Sequence, residues 1–383
     1  MIDISVLNLL NAPTKAERLE NLSKILPETV FPAEVPQYIN NHIHTTYSFS
    51  PYSPTAAVYA ARMEGLCTAG IIDHDSISGA REFLEAAQMI GIPVTIGMEC
   101  RVSMEGTRLE GRRTNNPDQE GVSYMTIQSV PHDKIEVLTE FFKPYQAARH
   151  ARNRKMIAKI NDLLGLDMDY DRDVLPLSEA QDNGGVTERH LMYALAIRLV
   201  KEVGKGEAMV KKLESMGLSL SSKQVAQMTD TEYPFYEYDL LGILKGAFVP
   251  QIFIPATDEC PKLPDMVKLC KEVDAYLCYA YLGDVGDSVT GDKKAQKFED
   301  DYLDDVFECL KEEGVKAVTY MPTRNTQAQL ERLRGLCDSY GMFQISGEDI
   351  NSPRQSFVIK AMENPMFANL IEATWKLIEH EKN

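Results

Sequence analysis

Gln37-Tyr38-Ile39-Asn40-Asn41-His42-Ile43-His44-Thr45-Thr46-Tyr47-Ser48 reads as a short strand that ends in two histidines. On an extended strand, side chains two apart share a face, so His42 and His44 aim two imidazoles at one point while Ile43 turns into the core. Two further apolar runs end in the same way. Residues 68–72 lead into Asp73-His74-Asp75, and residues 92–96 lead into Gly97-Met98-Glu99. Three of the seven histidines thus fall within one short stretch, each where a strand delivers side chains to a site. This is a layout of metal ligands.

Between these strands the signals are helical. Ser53 is placed as an N-cap with Pro54 at the first helical position, and Gly65 ends that helix. A second helix covers 79–90 and stops at Gly91. Strand, helix, strand, helix, strand calls for a parallel sheet with helices outside, whose strand carboxyl ends gather at one rim. His42, His44, His74 and Glu99 are expected at that rim of a (β/α) barrel.

A loop over 105–120, rich in charge and turn residues, is followed by a strand over 123–130 and a helical stretch over 134–164. Residues 150–255 read as mostly helical, with a polar linker around Pro176, Asn183 and Gly184-Gly185, and form an inserted subdomain. The alternation resumes with strands over 275–281, 315–320 and 342–346 and helices over 297–313 and 326–340. The last strand runs into Gly347-Glu348-Asp349, a further carboxylate at a strand end. A final amphipathic helix covers 365–380. The chain is therefore divided into a helical extension (1–36), a first barrel part (37–149), the insertion (150–255) and a second barrel part (256–383).

A net charge of −17 over 383 residues repels phosphate backbones, so no nucleic-acid polymer is expected as partner. The stretch 150–159, with Arg152, Arg154 and Lys155, suits a helix with a solvated basic face. Seven cysteines without a CxxC pair argue for reduced, mostly buried thiols. No apolar run approaches the roughly 18 residues that cross a bilayer, and the chain is expected in the cytoplasm.

At His42–Ser48, Asp73-His74, Gly97–Glu99 and Gly347–Asn351 the chain resembles the polymerase and histidinol phosphatase (PHP) superfamily, whose signature runs HxHTxxS, DH, GxE and GSDxH. Val186-Thr187-Glu188-Arg189-His190-Leu191 and Leu240-Leu241-Gly242 to Pro250 are similar to the ends of a helical insertion found in small phosphoesterases of that superfamily. The resemblance implies a distorted (β/α)7 barrel. It implies a first divalent ion, zinc, manganese or iron, held tightly by His42, His44, Glu99 and Asp349. For a second ion it points to Ser50, His74 and Asn351, and for a third to Tyr124 and Tyr281, where no histidine stands. His74 and Asp73 are the expected catalytic pair, with Asp73 orienting His74 or its loop. Arg189 and His190, opening a helix, are the expected contacts of a substrate phosphate. Glu348 is the alternative to Asp349, and Arg354 a further phosphate contact.

The function so implied is a metal-dependent hydrolase of a small phosphorylated metabolite or nucleotide. The missing ligands favour an alternative, a silent relative that binds a phosphorylated ligand. A third reading is a hydrolase of a non-phosphate bond, because one activated water serves either chemistry. The sequence leaves the oligomeric state open.

Overall fold

In the computed structural model, which describes residues 3–285 and 296–382, the alternation closes into a barrel. The seven strands are β1 (Val35–Ile43), β2 (Leu66–His74), β3 (Val94–Ser103), β4 (Val122–Gln128), β5 (Tyr276–Ala280), β6 (Ala317–Tyr320) and β7 (Phe343–Ser346). They form one sheet in chain order. After β7 the chain folds back on β1: His44 N–H donates to Ile350 O at 3.0 Å and Ile350 N–H to His42 O at 3.1 Å. The product is a nearly closed, seven-stranded α/β barrel in which the residues after β7 are tied to the His42–His44 segment.

Four neighbouring pairs are parallel, but β4 runs antiparallel to both β3 and β5. This corrects the all-parallel sheet expected from the first three strands. A parallel neighbour needs a crossover, usually a helix. The segment between Ser103 and Val122 is a string of turns without a helix, so the chain re-enters the sheet from the end it has just left. β3 is also longer than expected. It continues past Glu99 to Ser103, which puts Arg101 on the same face as Glu99.

Local signals set the helices around the strands. The Ser53 side chain accepts from Ala56 N–H at the start of Pro54–Met63, and Gly91, at φ 84°, ends Ala80–Ile90 in the left-handed region. The main core lies on the strand faces turned away from His42, His44, His74 and Glu99, where Ile39, Ile71, Ile96, Met98, Ile127 and Tyr279, all buried, cluster with residues of the surrounding helices. Each such side chain contributes about 1.5–3 kcal/mol relative to exposure. A second core, including Leu191, Leu195, Leu240 and Leu244, lies in the helical insertion. The helix Ile135–Leu164 joins the two cores without a break at residue 150: Leu138 and Phe142 belong to the first, Met156 and Ile160 to the second. Among the described residues no helix is long and apolar enough to cross a membrane.

Candidate metal centre

β1 ends by presenting His42 and His44, β2 ends on His74, β3 presents Glu99, and the turn after β7 presents Asp349. Parallel pairing sets His74 beside Glu99 in register. Glu99 Oε2 lies 3.5 Å from His42 Nε2, 3.8 Å from His44 Nε2 and 3.2 Å from His74 Nδ1, and Asp349 Oδ1 lies 3.1 Å from His44 Nε2. Donor atoms each about 2.1 Å from one ion stand about 3.0–3.4 Å apart at octahedral or tetrahedral angles. Two of the observed spacings fall in that range and two exceed it by no more than 0.4 Å. His42, His44 and Asp349 form one group able to hold an ion, and His44, His74 and Glu99 another.

Burial sharpens the point. His42 is 7% exposed and His44 0%, and the Nε2 atoms of both make no hydrogen bond. A buried polar atom without a partner costs about 1–3 kcal/mol, and such atoms are rare in native proteins. A cation between them and the carboxylates removes that cost. Electrostatics point the same way. Burial opposes the charged form of His44, but Asp349 and Glu99 outweigh it and hold its pKa above the usual imidazole value. Burial likewise opposes ionised Glu99 and Asp349, yet the three imidazoles hold both carboxyls below their ordinary range. Burial, with His44 and Arg149 adding to it against Glu99, depresses His74 to about 4. Its ring is therefore neutral at pH 7, with a lone pair to give.

The layer behind the donors fixes one tautomer. Ser48 Oγ donates to Asp73 Oδ1 at 2.7 Å, so its 3.2 Å contact with His44 Nδ1 uses the Nδ1 proton and leaves the Nε2 lone pair facing the carboxylates. Asp73 also accepts from Thr45 N–H and Thr45 Oγ1, each at 2.6 Å. Asp73, expected beside His74 in a catalytic pair, is thus placed behind His44 as the anchor of the 45–48 turn. Gly185 gives the insertion its approach to this layer. Its N–H donates to Tyr47 O at 2.6 Å, and a Cβ there would stand 2.1 Å from His74 O.

The remaining expected residues are engaged by other partners or stand beside the cluster. Asn351, assigned as a weak metal ligand, has its amide nitrogen on Asp349 Oδ1 at 2.6 Å and accepts from Arg189 Nη1 at 2.9 Å, so it bridges those two. Arg189 also lies over the Phe49 ring at 5.2 Å. His190, assigned to a phosphate, turns back to cap its own helix: Nδ1 accepts from Thr187 N–H at 3.0 Å, and the ring meets Phe49 edge to face. Burial, with Arg149 and Arg189 nearby, lowers His190 to about 3. Ser50 is buried and accepts from Tyr52 N–H in its own turn. Tyr281 donates its hydroxyl proton to Asp300 at 2.6 Å. Glu348 accepts from Thr323 N–H, and Arg354 pairs with Asp239 through two hydrogen bonds of 2.9 and 2.6 Å. Tyr124 sits on the cluster's flank, its ring 6.0 Å from that of His74.

One set of charges was misread from the sequence. Arg152, expected on a solvated face, is 5% exposed, and with Arg149 and Arg101 it surrounds Glu188 at the seam of barrel and insertion. Alternation beyond Glu99 carried the signal for Arg101. Arg149 and Arg152 gave none, because helical periodicity does not reveal that a second core packs over that face.

Comparison with known proteins agrees with this geometry. The PHP domain family model matches residues 40–202. A 5'-3' exoribonuclease of Haemophilus influenzae is 37% identical over 65 residues, which is 17% of this chain and 24% of that protein. An error-prone DNA polymerase of Mycobacterium bovis is 32% identical over 96 residues, 24% of this chain and 8% of that one. The chain therefore spans only a small part of either relative. Two solved structures share the fold over most of their length. A protein described as a metal-dependent phosphoesterase from Bifidobacterium adolescentis superposes with a TM-score of 0.55 at 18% identity, over 89% of this chain and 98% of that one. An amidohydrolase from Chromobacterium violaceum, solved with sulfate and no metal, gives 0.56 at 15% identity, over 88% and 96%. The segment that matches the PHP domain model runs from β1 through β4 into the insertion, and it holds His42, His44, His74 and Glu99, which converge with Asp349 at the mouth of a seven-stranded barrel.

Proposed function

We propose that the chain is a metal-dependent hydrolase that cleaves a phosphate ester of a small molecule. The observation that carries this reading is the pair of buried, unbonded Nε2 atoms of His42 and His44 facing Glu99 and Asp349. A divalent ion in such a site supplies a nucleophile by lowering the pKa of coordinated water and polarises a phosphoryl oxygen. His42, His44, Asp349 and Glu99 would hold it. Because Ser48 engages Nδ1 of His44, that ring has one lone pair and serves one ion. A second ion would have His74 and Glu99 as its protein ligands, so it would bind more weakly. His74, neutral at pH 7, is the group placed to take a proton at Nδ1 or to complete that weaker site.

A second reading is a binding protein without turnover. It is favoured by the commitment of Asn351 and Tyr281 to other partners. The experiment that separates the two is hydrolysis of p-nitrophenyl phosphate and its bis-ester with added manganese, by wild type and by Asp349→Asn. Turnover that depends on manganese and falls at least a hundredfold in Asp349→Asn is expected. Stoichiometric bound metal without hydrolysis of either ester would favour the silent binder.

A further inference from the structure

The charges at the seam between barrel and insertion have no part in the mechanism above. Glu188 is the first residue of the helix Glu188–Val203, and three guanidiniums converge on its carboxylate: Arg152 Nη1 at 2.6 Å, Arg149 Nη2 at 3.0 Å and Arg101 Nη1 at 3.5 Å. Arg149 also bonds Asp75, and Arg101 also bonds Glu259. The arginine side chains are 7% (Arg149), 5% (Arg152) and 5% (Arg101) exposed. Even so, Arg149 Nε and Arg152 Nη2 have no hydrogen-bond partner. The free Nη2 belongs to the very guanidinium whose Nη1 holds Glu188. Three buried forks with donors left over, at a helix N-terminus, are what an oxyanion with three or four acceptor oxygens requires. A carboxylate, with two oxygens, leaves donors unsatisfied.

We propose that Glu188 is a specificity-determining residue: its carboxylate fills, as an internal anion, a pocket that Arg101, Arg149 and Arg152 would otherwise offer to an anionic group of the ligand. The pocket adjoins the metal cluster. Arg101 follows Glu99 by two residues on one face of β3, Asp75 follows His74, and Arg189 beside Glu188 reaches Asn351 and through it Asp349. With Glu188 in place, Asp75, Glu188 and Glu259 balance the three arginines charge for charge. A phosphate or carboxylate arriving there would bring uncompensated negative charge, which excludes it. Resting on the hydrolase reading, this narrows the substrate to one whose single anionic group is the one at the metal and whose far end is neutral.

The test is calorimetric titration of inorganic phosphate, at fixed ionic strength, into the full-length chain as wild type and as Glu188→Gln. Glu188→Gln is expected to bind phosphate at least tenfold more tightly than wild type. The gain should vanish in Glu188→Gln with Arg152→Gln and persist in Glu188→Gln with Asp349→Asn. Equal binding by wild type and Glu188→Gln overturns the proposal, and so does a gain that disappears with Asp349→Asn, since that phosphate would sit at the metal cluster. Removing one of three balancing carboxylates weakens the fold if nothing replaces it. Phosphate, compared with chloride at equal ionic strength, should then raise the Tm of Glu188→Gln by more than it raises that of wild type. Equal shifts would mark the cluster as a purely structural ion network. None of these outcomes needs turnover, so failure of the hydrolase reading would not imitate failure of this one.

Discussion

Ser48 shows how much of the proposed metal site lies behind the side chains that would hold the ion. Its hydroxyl passes the anchoring of Asp73 to His44 Nδ1, fixing the ring's orientation and the lone pair it presents. Loss of such a support typically weakens metal affinity 10–100-fold. Ser48→Ala is expected to do so, measured by manganese or zinc titration, with a change in Tm of only a few degrees; unchanged affinity would mean that the Ser48 contact does not orient the ring. At this scale the convergence of His42 and His44 was legible because two-residue spacing on a strand is a strict geometric rule. The fates of Asn351 and His190 were not. Each has a polar group that bonds equally well to a ligand or to a neighbour, and only packing decides: Arg189 reaches Asn351, and the Thr187 N–H reaches His190.

The insertion joins the site through the N-terminus of Glu188–Val203, and two consequences belong to this element. His190 caps that helix as a neutral ring, its pKa held near 3 by burial and two arginines, well below its unfolded value of about 6.5. Below pH 6.5 the unfolded chain therefore binds a proton that the folded chain refuses, and stability falls as pH drops toward 3. His190→Gln keeps an acceptor at the capping position and removes that proton. Its stability between pH 6.5 and 4, measured by urea unfolding, is expected to fall less steeply than that of wild type, by about 1.4 kcal/mol per pH unit. Parallel slopes would show the ring to be protonated in the fold. Gly185 holds the same element against His74. Gly185→Ala meets the His74 carbonyl and is expected to lower stability by about 1–3 kcal/mol and to reduce turnover as His74 is displaced. A variant with wild-type Tm and activity would contradict the close approach. The sequence announced the two helices after β1 and β2 through Ser53 and Gly91. It did not announce that Ile135–Leu164 spans both cores, since one unbroken amphipathic pattern carries no sign of a change of partner.

Across the whole molecule, a sheet in chain order brings residues 42 and 349 together, because the turn after β7 hydrogen-bonds to the end of β1. The barrel was readable from the alternation of strand and helix. The reversed β4 was not, because the loop before it carries turn signals that fix no direction. The central claim is that barrel closure assembles a cation site from both ends of the chain. It is tested most directly by diffraction from crystals grown with manganese, using anomalous scattering to locate the ion. A peak is expected about 2.0–2.3 Å from His42 Nε2, His44 Nε2 and an Asp349 oxygen, with Glu99 in reach. Saturating manganese with no peak among those side chains, or a peak only at some other place in the molecule, would contradict it.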